Sequence, residues 1–312
     1  MSESNNNDVT SALVSEILQE QRRSRRWKNI RFVLWFGLFL FVIYNLFDLL
    51  GDKKITSAGG EKYVALLRLD GMIAPDREFS AEKIVPALKE AFEDRKSKGV
   101  IIDINSPGGT PVQSSIIHDA IMGLKKQYHK KVIIVGEDML TSGAYFIAVA
   151  GDKIYVNPNS ITGSIGVVMS GFGFVDAMKK LGVERRVYSA GTAKDRLDPF
   201  LPINPADVQK VDSVMKKVHQ NFIDAVQEGR KGKLKAAPEV LFNGDFWSGQ
   251  EALELGLVDG LGNLTDVMKK EFATSEFKEY GQSTSLFRYL GGQMNSAMDM
   301  FFTSYTTPRP SA

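Results

Sequence analysis

The chain has no cysteine in its 312 residues. Disulfides, thiol nucleophiles and cysteine-ligated metals are therefore excluded. The absence also suits an oxidising compartment. Histidine is scarce: His118, His129 and His219 are widely scattered, and no H-E-x-x-H helix is present to hold zinc. The sequence thus asks for no metal and no cofactor. Neither sign of charge prevails, since 39 Lys and Arg face 37 Asp and Glu for a net +2. That balance gives no reason to expect a nucleic-acid partner. No glycine-rich loop is followed by G-K-[ST], so there is no P-loop. No internal repeat is visible.

What remains is ordinary for a globular protein, with 43% hydrophobic and 24% charged residues. The length allows one large or two small domains. Residues 32–47 carry no charge and are strongly apolar. The run is slightly short of the ~20 residues of a full bilayer span, although Arg31 can snorkel at one end and Leu49 and Leu50 extend the other. Arg22, Arg23, Arg25, Arg26, Lys28 and Arg31 precede it. Only Lys53 and Lys54 follow, balanced by Asp48 and Asp52. By the positive-inside rule the N-terminus is cytoplasmic and the remainder lies outside. A buried core helix is one alternative. A cleaved signal peptide ending near Thr56-Ser57-Ala58 is another, but the basic region begins about 20 residues in and the apolar run exceeds a usual signal core. The expectation is a cytoplasmic segment at 1–31, a transmembrane signal anchor at 32–50 and a linker at 51–62. Within the first of these, Val9, Leu13 and Ile17 stand at helical spacing.

Beyond the linker, strands and helices alternate. Strands are expected at 63–69, 100–104, 132–135, 153–156 and 186–188. Helices are expected at 80–96, 110–128, 142–150 and 205–229, and a closing helical and turn segment at 239–272. Strands that are apolar throughout, separated by helices, imply an α/β fold with a parallel sheet covered on both sides. In the tail, Leu286, Phe287, Leu290, Met294, Met298, Phe301 and Phe302 recur every three or four residues. They form an amphipathic face for a partner helix or for the membrane interface.

Three short segments carry the chemistry. Ser142 follows the 132–135 strand and opens an apolar helix. Alone, a serine there reads as a helix cap. Gly143 beside it lets a substrate approach the backbone closely. Asn105-Ser106-Pro107-Gly108-Gly109 leaves the 100–104 strand and enters the next helix. Such a loop is a simple turn, or a row of amides at the ligand-binding end of a parallel strand. Lys194 lies in Gly191-Thr192-Ala193-Lys194-Asp195. A serine nucleophile needs a base. A lysine serves only when neutral, which means moving an amine from ~10.4 towards 7, on the order of 4 kcal/mol, by burial. Read alone, Lys194 beside Asp195 and Arg196 is a solvated surface group. A Ser–His–Asp arrangement of the ClpP type would want a histidine about 25 residues after the serine, and Val167 stands there. His118 and His219 read as surface or interface residues, and Asp103 as a local cap or pair.

The four stretches Asn105-Ser106-Pro107-Gly108-Gly109, Ser142-Gly143-Ala144-Tyr145, Thr162-Gly163-Ser164-Ile165-Gly166-Val167 and Gly191-Thr192-Ala193-Lys194-Asp195 resemble, in order and spacing, the signal peptide peptidase A family of S49 serine peptidases. The resemblance runs from about residue 63 to 270. It implies a crotonase-like (ClpP-like) fold of repeated ββα units and a peptidase domain at 63–275, leaving 276–312 as a tail. It implies Ser142 as nucleophile, Lys194 as general base and Ser164 as the hydroxyl that orients the lysine amine. The backbone amides of Gly109 and Gly143 become the oxyanion hole. It further implies a homo-oligomeric ring, with the dyad completed between neighbouring subunits. The expected protein is a single-pass endopeptidase of the bacterial inner membrane, its peptidase domain periplasmic, acting on signal peptide remnants or other hydrophobic peptides. A crotonase-like acyl-CoA enzyme and a non-catalytic membrane scaffold of the same fold are the alternatives.

Overall fold

The computed structural model of the protein describes residues 62–281 and, towards the N-terminus, residues 27, 31–32 and 34–42. The chain divides into two units, Gly59–Ser283 and the remainder. In the latter, residues 31–32 and 34–42 are helical. Arg31 Nε donates to the Trp27 carbonyl at 3.4 Å, and the Phe32 and Phe36 rings stack at 6.0 Å. No helix among the described residues is long and apolar enough to cross a membrane. The expected span at 32–47 includes residues 33 and 43–47, which lie outside the described residues. So do the 1–21 segment, the linker up to residue 61 and the amphipathic tail segment 285–302.

The Gly59–Ser283 unit runs β1 (Tyr63–Asp70), α1 (Ala81–Glu93), β2 (Ser97–Ser106), α2 (Pro111–Tyr128), β3 (Val132–Thr141), α3 (Gly143–Ala148), β4 (Lys153–Val156) and β5 (Ile161–Gly163). It continues with α4 (Val175–Leu181), α5 (Pro205–Gly229), α6 (Pro238–Leu241), β6 (Phe246–Ser248), α7 (Gly249–Leu255), β7 (Gly260–Leu261), α8 (Leu264–Phe272) and β8 (Phe277–Glu279). One sheet has the order β6-β5-β3-β2-β1-β8, with β4 also on β3 and β7 on β4. Every pairing is parallel except β5 with β6. The architecture is therefore mixed α/β on a mainly parallel sheet.

The apolar strands explain this layering. On β2, Val100, Ile102 and Ile104 pack with Ile84, Leu88 and Phe92 of α1 and Ile117 and Ile121 of α2. Ile101 points the other way, into a second cluster with Ile133, Tyr155, Val267 and Phe272. Both faces of the central strands are thus buried, as parallel sheets require. The long strand β3 serves two neighbours. Ile133–Gly136 pairs β4, and Met139–Thr141 pairs β5. This split carries β5 and its following turn to the carboxyl end of β3, where the chemistry-bearing loops lie.

One expectation fails. Residues 186–188 form no strand, because no sheet edge reaches them; Tyr188 is 92% exposed. In α2 the buried face is Ser114, Ile117 and Ile121, and Ile116 beside it is exposed.

Candidate active site

Three loops converge at the carboxyl ends of β2, β3 and β5, the end where ligands bind in such sheets. The first is Pro107-Gly108-Gly109. Ser106 Oγ accepts the Gly108 N–H at 3.1 Å. Ile73 pins the loop from outside: its N–H donates to the Gly108 carbonyl, and its carbonyl accepts from Thr110, both at 2.9 Å. No side chain fits here. A Cβ on Gly109 would sit 2.0 Å from the Ile73 oxygen, and one on Gly108 would sit 2.7 Å from Ser142 Cβ. The two glycines therefore let this loop lie directly against the start of α3.

Ser142 joins β3 to α3 with φ 52° and ψ −122°. A non-glycine residue there is strained and persists only when its surroundings fix it. They do: the Ser142 N–H donates to the Gly163 carbonyl at 2.8 Å, and its carbonyl accepts from Phe146 at 2.9 Å. Its side chain makes no capping hydrogen bond. The cap reading of Ser142 thus fails, and the hydroxyl is left for other work. Next to it, a Cβ on Gly143 would lie 3.2 Å from the Gly109 nitrogen, so the two amides adjoin. Neither donates to another group among the described residues.

Ser164 follows β5 and also has φ 52°. Its N–H donates to the Asp245 carbonyl at 2.7 Å, and its carbonyl accepts from Gly166 at 2.9 Å. Ser142, Ser164, Gly109 and Gly143 all line one cleft of about 550 Å³, whose walls include Phe146, Val167, Val218 and Phe222. His219 lines it too, with Nε2 3.0 Å from the Ile165 carbonyl. This differs from the surface or interface position that the sequence suggests. Lying 77 positions after Ser142 in the middle of a long helix, it gave no sequence signal; only the fold brings it here.

Lys194 is not among the residues lining the cleft. It sits exposed in the turn 191–197, its N–H on the Gly191 carbonyl at 3.2 Å. The surrounding arm, residues 167–204, is braced on itself and, through Arg196 paired with Asp207 at 2.8 Å, on α5. Phe174 stacks on Phe200 at 5.3 Å, and Arg185 donates to Asp198 at 2.9 Å. The Phe200 amide and Arg185 together hold the Asp198 carboxyl below its usual range. Yet Val168, Phe172, Leu181 and Tyr188 of this arm are largely exposed.

On β2, Asp103 pairs with Arg68 of β1 at 2.7 Å. Burial pushes this carboxyl up to about 7, with the nearby Glu137 charge adding to the effect and Arg68 opposing it. Its Oδ1 has no partner. Asp103 does not line the cleft. Among the described residues, no group of three His, Asp or Glu side chains is placed to hold a metal.

Residues 124–277 match the model of peptidase family S49. A protein of Enterococcus faecium, provisionally named signal peptide peptidase SppA, is 30% identical over 231 residues, covering 70% of this chain and 67% of that one. A provisionally named protease of Methanocaldococcus jannaschii is 31% identical over 241 residues, 75% and 76% of the two chains. The Na(+)/H(+) antiporter NhaA of Brucella melitensis is 48% identical over 185 residues, 59% of this chain. That match spans 25% of the antiporter's length, so its name describes a far longer protein.

Proposed function

The chain belongs to peptidase family S49, the signal peptide peptidase A family, and from this premise we propose that it is a serine endopeptidase working by a Ser142–Lys194 dyad. The observation that carries the reading is the backbone at Ser142. A strained serine with an uncommitted hydroxyl stands beside two adjoining free amides, those of Gly109 and Gly143. This is what a nucleophile and oxyanion hole require.

In the proposed reaction, Ser142 Oγ attacks the peptide carbonyl carbon as neutral Lys194 Nζ takes its proton. The carbonyl oxygen becomes an oxyanion held by the Gly109 and Gly143 N–H groups. Collapse breaks the C–N bond, and Lys194 returns the proton to the leaving amine. Water then attacks the acyl ester, again giving a proton to Lys194, which passes to the Ser142 oxygen as the acid leaves. The Ser164 hydroxyl orients the lysine amine. The apolar walls of the cleft suit hydrophobic peptides such as signal peptide remnants.

Lys194 stands exposed and outside the cleft of its own protomer, and the arm around it exposes apolar side chains that a second copy would cover. We therefore place it, in a homo-oligomeric ring of crotonase-like protomers, against the Ser142 cleft of a neighbour, where burial supplies the desolvation a neutral amine needs. The charge asymmetry around 32–47 supports a single-pass inner-membrane anchor with the peptidase domain periplasmic.

The test is cleavage of a hydrophobic peptide by the full chain in detergent. Ser142→Ala and Lys194→Ala should each abolish turnover without changing the fold by circular dichroism. Equal activity in all three proteins would sink the mechanism, and activity in Lys194→Ala alone would reassign the base.

A further inference from the structure

Among the described residues, His219 is the one titratable side chain that lines the cleft, and the proposed reaction does not use it. It lies on α5 between Val218 and Phe222, which line the same wall. Its Nε2 meets the Ile165 carbonyl at 3.0 Å. A carbonyl oxygen only accepts, so Nε2 carries the hydrogen in this contact.

The contact falls on a sensitive place. Ile165 follows Ser164, whose φ of 52° is unfavourable for a serine. Such a conformation holds only where several contacts determine it together. Two of them are backbone bonds, from Ser164 N–H to Asp245 and from Gly166 N–H to Ser164. The third is the imidazole of His219, the one side chain among the described residues that bonds this turn. Ile165 is itself fully buried, so without His219 its carbonyl loses that partner where water has little access.

We propose that His219 is a positioning residue: its Nε2–H, given to the Ile165 carbonyl, fixes the Ser164 turn and thereby the place of the Ser164 hydroxyl in the cleft. This rests on the Ser–Lys reading above, in which Ser164 orients the lysine amine. The role needs a hydrogen-bond donor at one point and no proton transfer. Glutamine carries an N–H at nearly the same reach as Nε2. Phenylalanine keeps a flat ring but has no donor. The pair separates donor from base and both from packing.

The experiment measures steady-state peptide cleavage across pH by the full chain and by His219→Gln, His219→Phe, Ser164→Ala and His219→Phe/Ser164→Ala. His219→Phe should lower kcat about 10-fold with KM within about twofold, the pattern of a lost transition-state interaction. His219→Gln should restore kcat to within about threefold of wild type, a residual set by imperfect hydrogen-bond geometry. A correctly placed Ser164 hydroxyl donates to the neutral amine and favours it. Loosening the turn should therefore move the acid limb of kcat/KM to higher pH in His219→Phe, as in Ser164→Ala. The double variant should be no slower than Ser164→Ala, since both act through one hydroxyl. Wild-type kcat and pH profile in His219→Phe overturns the proposal, as does a double variant whose losses multiply. A His219→Gln as slow as His219→Phe also overturns it, because the imidazole is then needed as a base. Activity in Lys194→Ala instead overturns the dyad reading beneath it, a result the His219 variants do not produce.

Discussion

The Ser142 side of the cleft and the arm that carries Lys194 hold their shapes by different means. Around Ser142, strained backbone is locked by strand ends, by the Ile73 clamp and by glycines with no room for a Cβ. The arm at 167–204 is held by few contacts, Phe174 on Phe200, Arg185 on Asp198 and Arg196 on Asp207 of α5, and presents large apolar side chains to solvent. The first side is complete within one protomer. The second leaves Val168, Phe172, Leu181 and Tyr188 exposed within the protomer. In the proposed assembly, a neighbour would bring Lys194 to the Ser142 hydroxyl and the two amides beside it.

The strongest way to break this contrast is complementation. Ser142→Ala and Lys194→Ala should each lose at least about 10³-fold in kcat, as removal of a nucleophile or its base does. Co-assembled from an equal mixture, they should recover about one quarter of wild-type activity, because a random cyclic array pairs an intact serine with an intact neighbouring lysine at that frequency. No recovery in mixtures shown to contain both subunits would place Ser142 and Lys194 of each site in the same protomer.

The next effect tests the preformed side alone. Gly109→Ala puts a methyl into the Ile73 carbonyl, 2.0 Å away. The amide must shift, and kcat should fall about 10²-fold, the usual effect of losing one oxyanion donor. Active-site titration with a serine-reactive phosphonate would separate this from misfolding.

These tests also mark how far the sequence reached. The central strands and α5 were legible because continuous apolar runs and a long amphipathic period are local signals. The strands β5 to β8 were not, since two or three residues carry no period. Segment 186–188 read as a strand because Val187 and Tyr188 favour one, but strand formation needs a neighbour, and none is supplied. At the site, glycine-flanked segments pointed to Gly109, Ser142 and Gly143, and the family resemblance added Ser164; the fold brings all four to one cleft. His219 was missed because its place depends on how α5 lies beside the Ser164–Ile165 turn, a tertiary fact without a motif. The strain at Ser142 was invisible for the same reason.

A smaller effect sharpens the other side. Replacing Phe172 and Tyr188 together with serine removes exposed apolar area, 83% and 92% accessible in the protomer. Burying a large aromatic side chain contributes about 1.5–3 kcal/mol. The double variant should keep its circular dichroism spectrum yet shift to smaller species by light scattering. Unchanged mass would leave the arm without a partner and remove the reason for placing Lys194 in a neighbour's cleft.

The smallest effect concerns the buried Asp103 on β2. Burial, then Glu137, raises Asp103 to about 7, so its folded form prefers a proton that the unfolded chain gives up near 4. That stability is fully present below pH ~4 and is lost as pH rises through about 7. Glu271 works in the opposite sense. Burial pushes it up, but hydrogen bonds from Lys131, Tyr155 and Lys153 outweigh this and hold it at about 2. Its contribution is present above pH ~4 and is lost on acidification towards pH 2. Between pH 6 and 8 the Asp103 effect therefore acts alone of the two. Thermal unfolding of the wild type should weaken across that window, while Asp103→Asn, which still accepts from Arg68, should lose less. A difference of 1 kcal/mol corresponds to about 2–4 °C in a domain of this size. Parallel curves for the two proteins would show that Asp103 stays ionised, with the Arg68 pair outweighing its burial.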